Sequence, residues 1–195
     1  MVLAGLLGAT AVMVSGGCAR PVNRTPAVSP SGAVPFGWFR AGPAPAGWQS
    51  LELPGGTAVL SVPPDAAPIP GDPGTVSARV TGPRSELRIY FNATPQEGGE
   101  SLSNWAGFRL AHLTGEHAAS ATRLANRSGM PFRGGTGSCV EDTYVTRIGA
   151  HKYREMACLV TGSRGGSVVV VAAPADSWDR IGAEVEQAVD AYVAE

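Results

Sequence analysis

The sequence predicts an α+β domain, in which an antiparallel β-sheet packs against two main helices and a disordered linker precedes it. Three observations carry this prediction. Short apolar runs recur in pairs around Gly and Pro, which is the pattern of hairpins. Two segments, one around Trp105 and one after Trp178, repeat their apolar residues at helical spacing instead. The stretch from Ala19 to Gly47 sustains neither period and is dense in Pro, Ala, Gly and Ser.

Taken in order, Trp48 to Leu53 and Ala58 to Val62 are extended runs joined by the turn Pro54-Gly55-Gly56, and Pro63-Pro64-Asp65 stops the second. Thr75 to Val80 and Glu86 to Phe91 form a second pair around Gly82-Pro83. In the latter, Leu87, Ile89 and Phe91 alternate with Arg88 and Tyr90, the period of a half-buried strand. A helix is predicted from about Leu102 to Glu116. Ser101 offers a cap, and Leu102, Trp105, Ala106, Arg109, Leu110 and Leu113 recur at helical spacing. Ala119 to Arg127 reads as a strand with a weak pattern, and Ser138 to Arg147 and Lys152 to Thr161 read as stronger ones around a turn near Gly149. Ser167 to Ala173 carries four successive valines and is expected to be buried on both faces. The last helix begins at an Asp176 cap and places Trp178, Ile181, Val185, Ala188, Val189 and Tyr192 on one face. Glu184, Glu186 and Asp190 are expected on its solvated side.

The N-terminus carries a different signal. Met1 to Gly17 is uncharged and rich in Ala, Val, Leu and Gly. It is shorter than the roughly 20 apolar residues of a spanning helix and suits the apolar region of an export signal. It runs into Val14-Ser15-Gly16-Gly17-Cys18-Ala19, which resembles the lipobox of bacterial lipoproteins. Gly16 and Gly17 match the two small positions before the acylated cysteine, while Ser15 stands where Leu is preferred. No Lys or Arg opens the run, so a start further upstream is expected. The reading is a signal peptide over 1–17, a lipid on Cys18, a linker over 18–47 and a globular domain over 48–195. The alternatives are a plain cleaved signal and an uncleaved anchor. Acylation at Cys18 implies a cell-membrane location on the extracytoplasmic face, because two or more acyl chains hold a protein stably on a bilayer. Within the linker, Phe36, Trp38 and Phe39 form either a docking element against the domain or an exposed patch.

There are three cysteines. Cys139 and Cys158 stand equidistant from a turn at Ile148-Gly149, so their Cβ atoms can approach to disulfide distance. Export favours the oxidised form, and the odd cysteine left over is Cys18. A strict two-residue turn sets Asp142 opposite Glu155, a like-charge pair that costs stability. A longer turn, a bulge or a shared cation would relieve it. The rival reading is a thiol nucleophile with His151 as base.

Other chemistry finds little support. His112 and His117 are five apart, whereas a two-histidine zinc helix uses four. No Gly-x-Ser-x-Gly elbow occurs. Gly134-Gly135-Thr136-Gly137 lacks the lysine of a phosphate loop and is read as a strand connection, like Gly162-Ser163-Arg164-Gly165-Gly166. Glu141, Asp142 and Glu155 are assigned to a solvated strand face, and Arg79, Arg84 and Arg88 to solvent. No catalytic residue, metal ligand or cofactor is assigned. The net charge of -1 lacks the basic stripe of a nucleic-acid binder.

The hairpin near Trp48, the Pro-Pro-Asp stop, the helix with Trp105 and the ending Val168-Val169-Val170-Val171-Ala172-Ala173-Pro174 before Trp178 resemble the PsbP-like fold. The ending resembles in particular the lipid-anchored actinobacterial lipoproteins of the LpqN and LpqT type. That resemblance implies a binding or protein-interaction module without catalysis at the cell envelope, with the membrane as one partner and an envelope or host-facing protein as another. An envelope hydrolase, which would gather the histidines with carboxylates, and a carrier of an apolar ligand, which would hold a deep cavity, are the competing functions.

Overall fold

The computed structural model describes residues 34–195. The expected signal run, the expected lipid site Cys18 and the linker as far as Ala33 lie outside the described residues, as does the side chain of His117.

Phe36 and Phe39 are buried, at 4% and 5% exposure, and pack into the main core. Phe39 meets Phe132 at a ring distance of 4.7 Å. The aromatic group ahead of Trp48 is thus a docking element. The strands β1 (Gln49–Glu52) and β2 (Ala58–Val62) form the first expected hairpin, and Leu53 donates to Ala58 O across its turn. They belong to a small sheet of their own, completed by β10 (Val193–Ala194) at the C-terminus.

The main sheet is antiparallel throughout, in the order β3-β4-β5-β9-β8-β7-β6. Its strands are β3 (Ala67–Ile69), β4 (Val76–Thr81), β5 (Leu87–Pro95), β6 (Ala118–Phe132), β7 (Gly135–Thr146), β8 (Lys152–Gly162) and β9 (Gly165–Pro174). The expected α+β class with an antiparallel sheet and two helices is what forms, with the strands divided between two sheets. The weak segment after Ala118 becomes a 15-residue edge strand. Gly129 and Pro131 do not end it, because register shifts against β7 absorb the interruptions.

The helices lie on opposite faces of the main sheet. α2 (Trp178–Asp190) packs on one face with Val169, Val171 and Ala173 of β9. α1 (Trp105–His112) packs on the other with Val168 and Val170 of the same strand. The four valines are therefore covered on both sides. The indole N–H of Trp105 donates to Ala157 O at 2.9 Å, which pins α1 to β8. α1 is shorter than expected. It begins after a turn in which Ser101 Oγ accepts from Asn104 N and Asn104 Oδ1 accepts from Ser101 N, and it ends in a π-helical turn, Leu113–His117.

α2 departs from expectation at both ends. A 3-10 turn, Ala175–Ser177, precedes it, and no side chain caps it. Glu184, Glu186 and Asp190 are half-buried rather than solvated, and Asp190 accepts the Arg40 N–H at 2.8 Å. The segment ahead of β1 meets the helix at Asp190, where Gly42 N also donates to the Asp190 carbonyl, while Glu184 faces Asp65 and Arg88.

Gly134 turns the chain between β6 and β7 at a φ of 75°, and a Cβ there would lie 1.9 Å from Ala194 O. The two glycine runs expected to be strand connections are so only in part: Gly135–Gly137 already belong to β7, and between β8 and β9 the turn is Ser163–Arg164, with Gly162 in β8 and Gly165–Gly166 in β9. No helix among the described residues is long and apolar enough to cross a membrane.

Candidate functional site

Cys139 and Cys158 are direct cross-strand partners in the β7–β8 hairpin and form a disulfide with a Cα–Cα distance of 4.1 Å. The bond faces the α2 side of the sheet. A thiol nucleophile at either position is thereby excluded in this state.

The same register puts Asp142 opposite Glu155, and no bulge intervenes between Gly135 and Val145. Alternation turns these two side chains to the α1 face. Both are buried, at 0% and 1% exposure, which corrects their assignment to a solvated strand face. Glu141 turns the other way and pairs with Arg154, whose guanidinium lies 4.7 Å from the Trp178 ring centre. The solvated-face reading failed because the strand pattern shows alternation but not that helices cover both faces.

The like-charge pair is relieved by arginine. Arg109 of α1 donates from Nε to Glu155 Oε1 at 2.7 Å and from Nη2 to Oε2 at 3.0 Å. Burial works against the charged guanidinium, and the Glu155 carboxylate more than offsets it, so Arg109 is held above its ordinary value. Arg123 stands across from Asp142 on β6 and donates to Ala106 O of α1. Both carboxylate oxygens of Asp142 are buried without a hydrogen-bond partner among the described residues. Desolvation, and then the charge of Glu155, push Asp142 up to about 6. Tyr144 is pushed upward by the same two causes.

Arg109 and Glu155 form one end of a cleft of about 590 Å³ between α1 and the sheet. Tyr90, Asn92, Tyr144, Val168 and Val170 form its floor, and Trp105, Phe108 and His112 its helical wall. Asn92 Nδ2 donates to Ser77 Oγ at 2.9 Å on that floor. Trp105 stacks on Phe108, and Phe108 on His112, with ring distances of 6.2 and 6.4 Å. Glu100 also lines the cleft, although it is only 9% exposed. Its carboxylate accepts the backbone N–H groups of Glu97 and Gly98 at 2.8 and 3.1 Å.

His112 sits at this cleft 3.5 Å from Glu116, whereas His151 is exposed at the β7–β8 turn and does not line it. Among the described residues, no group of three or more His, Cys, Asp or Glu is set to hold a metal ion. Arg79, Arg84 and Arg88 are exposed, as expected.

The cleft was missed from the sequence, yet two anomalies pointed to it. Arg109 falls on the apolar stripe of α1, and Asp142 and Glu155 face each other in register. An unexplained cation and an unexplained pair of anions, both on buried faces, account for each other.

No protein-family model matches the chain, and no curated protein matches it. Solved structures do. The solution structure of cyanobacterial PsbP (CyanoP) from Synechocystis aligns at a TM-score of 0.55 and 12% identity, over 77% of this chain and 94% of that one. A Pseudomonas aeruginosa protein of unknown function aligns at 0.51 and 8% identity, over 76% and 97%. The chain therefore has a PsbP-like fold, and at such identities the likeness establishes the fold alone. The crystal structure of LpqN, involved in cell envelope biogenesis of Mycobacterium tuberculosis, aligns at 0.34 and 11% identity over 77% and 80%. A score at that level carries no argument.

Proposed function

We propose that this chain is a lipid-anchored protein of the extracytoplasmic face whose domain binds a small ligand in the cleft beneath α1 without transforming it. The carrying observation is the cleft itself, walled by aromatic rings and hydrogen-bonding side chains while its buried Arg109–Glu155 pair is closed on itself. Concave sites with a few placed polar groups are where small ligands bind. A guanidinium and a carboxylate engaged through two hydrogen bonds serve as architecture more readily than as acid and base. The polar floor speaks against an entirely apolar cargo. The anchor is supported by the order Gly16-Gly17-Cys18 and by the disulfide, which uses two of the three cysteines and leaves Cys18 over.

An envelope hydrolase is the second reading, favoured by His112 and Glu116 meeting at the cleft. The separation of His151 from that cleft weighs against it.

Two measurements test the proposal. Intact mass of the membrane-extracted protein is expected to show cleavage before Cys18, an acyl adduct, and a gain of two hydrogens on reduction. A mature chain without the adduct removes the anchor. A screen of small molecules of every charge class, read on the Trp105 indole N–H resonance, is expected to find binders that are recovered unchanged. Conversion of a binder, abolished by His112→Ala, would instead establish the hydrolase.

A further inference from the structure

Buried carboxylates are normally matched by a cation. Glu155 obeys this rule through Arg109, and Glu100 does not. Its carboxylate lies in the cleft wall, nine-tenths buried, held by two backbone N–H groups, with no ion-pair partner among the described residues. The imbalance extends along the cleft. Asp72, Glu97, Glu100 and Glu155 line it, and of the basic side chains there Arg109 is engaged by Glu155 while His112 stands against Glu116. A recess lined by one sign of charge concentrates the opposite sign within it.

Aromatic surface stands beside the uncompensated charge. A Cβ on Gly99 would be 3.4 Å from the Phe108 ring, so the turn that carries Glu100 rests against that ring. Trp105 stacks behind Phe108, and Tyr90 and Tyr144 line the same space. A carboxylate next to aromatic faces is the arrangement that receives an ammonium group, whose positive charge is attracted by the ring quadrupole. The volume of about 590 Å³ far exceeds what a bare ion needs and suits a molecule of several heavy atoms.

We infer that the cleft beneath α1 takes a small organic cation, an alkylammonium or quaternary ammonium compound, with its charge against Glu100 and its carbon atoms on Phe108 and Trp105. This rests on the reading of the cleft as a ligand site and names the chemistry of its ligand.

The test is calorimetric titration of the full chain in detergent with choline and with its neutral isostere, in which carbon replaces the ammonium nitrogen. Choline is expected to bind at least tenfold more tightly than the isostere, and to weaken as salt is raised. Glu100→Gln removes the charge while keeping an oxygen for one of the two backbone N–H groups, and is expected to abolish most of that preference. Phe108→Ala, at a position 36% exposed, is expected to weaken choline severalfold without unfolding the domain. Thermal unfolding of both variants checks that the fold persists. Equal binding of the two probes, or binding of the isostere alone, overturns the cation inference and leaves the cleft reading in place. Absence of binding by either probe also overturns it, and the cleft reading is then decided by the separate screen across charge classes. Choline binding unaltered by both substitutions overturns the assigned location.

Discussion

Arg109, from the middle of α1, grips both carboxylate oxygens of Glu155, a central residue of β8, and so ties the helix to the sheet face it covers. The contact joins residues 46 positions apart in the chain. It also neutralises one member of the acidic cross-strand pair that the β7–β8 register creates.

Removing one side of this contact leaves a buried charge alone. Arg109→Met is therefore expected to destabilise the domain by about 3–5 kcal/mol, the range for breaking a buried pair. Arg109→Met combined with Glu155→Met is expected to recover most of that loss. Urea unfolding of the three proteins measures it.

Asp142 is expected to contribute to the pH dependence of stability, in the same direction as the half-buried Glu184, Glu186 and Asp190. Its folded value of about 6 lies above the ordinary 3.8, so the folded state holds the proton more tightly than the unfolded chain does. Stability from this group is complete below about pH 4 and is lost as pH rises through about 6. The difference amounts to about 3 kcal/mol. Asp142→Asn is expected to flatten this slope and to be more stable than the parent at pH 8. Denaturant unfolding at pH 4.5, 6 and 8 checks it, and parallel slopes for the two proteins would refute the assignment.

The disulfide closes a loop between Cys139 and Cys158, 19 positions apart. Chain entropy gives such a loop about 3 kcal/mol. Replacing both cysteines by Ser is expected to lower stability by about that amount, with added reductant no longer changing the thermal midpoint.

Gly134→Ala places a methyl group where the Ala194 carbonyl stands and asks an L residue to hold a φ of 75°. A loss above about 1 kcal/mol is expected. Amide exchange is expected to quicken at β10, because Ala194 N donates to Arg133 O beside this turn. Gly129→Ala, which has a similar φ but open space around its Cβ position, separates conformational strain from collision.

The parts of the fold legible in the sequence were those set by local periodicity. The valine run of β9, the apolar stripe of α2 and the β7–β8 register around Gly149 all follow from spacing between near neighbours. The three-residue β3 and the two-residue β10 carry too few residues to show a period, and each exists because a partner strand lies beside it. Of the site, Arg109, Asp142 and Glu155 were visible as residues out of place. Glu100 was not, since its burial comes from the turn that folds its carboxylate back onto the N–H groups of Glu97 and Gly98. Nothing in the spacing of that segment announces a buried acid.

β6 has a meaning beyond its place at the end of the main sheet. A 15-residue outer strand offers a long row of backbone donors and acceptors, a natural template for two molecules to join into one continuous ribbon. Its three breaks in register, near Ser120, Ala125 and Met130, interrupt that row every few residues, which works against a regular second ladder along it. The longest strand of the domain thus carries the kind of irregularity that disfavours edge-to-edge joining of copies when many are crowded together.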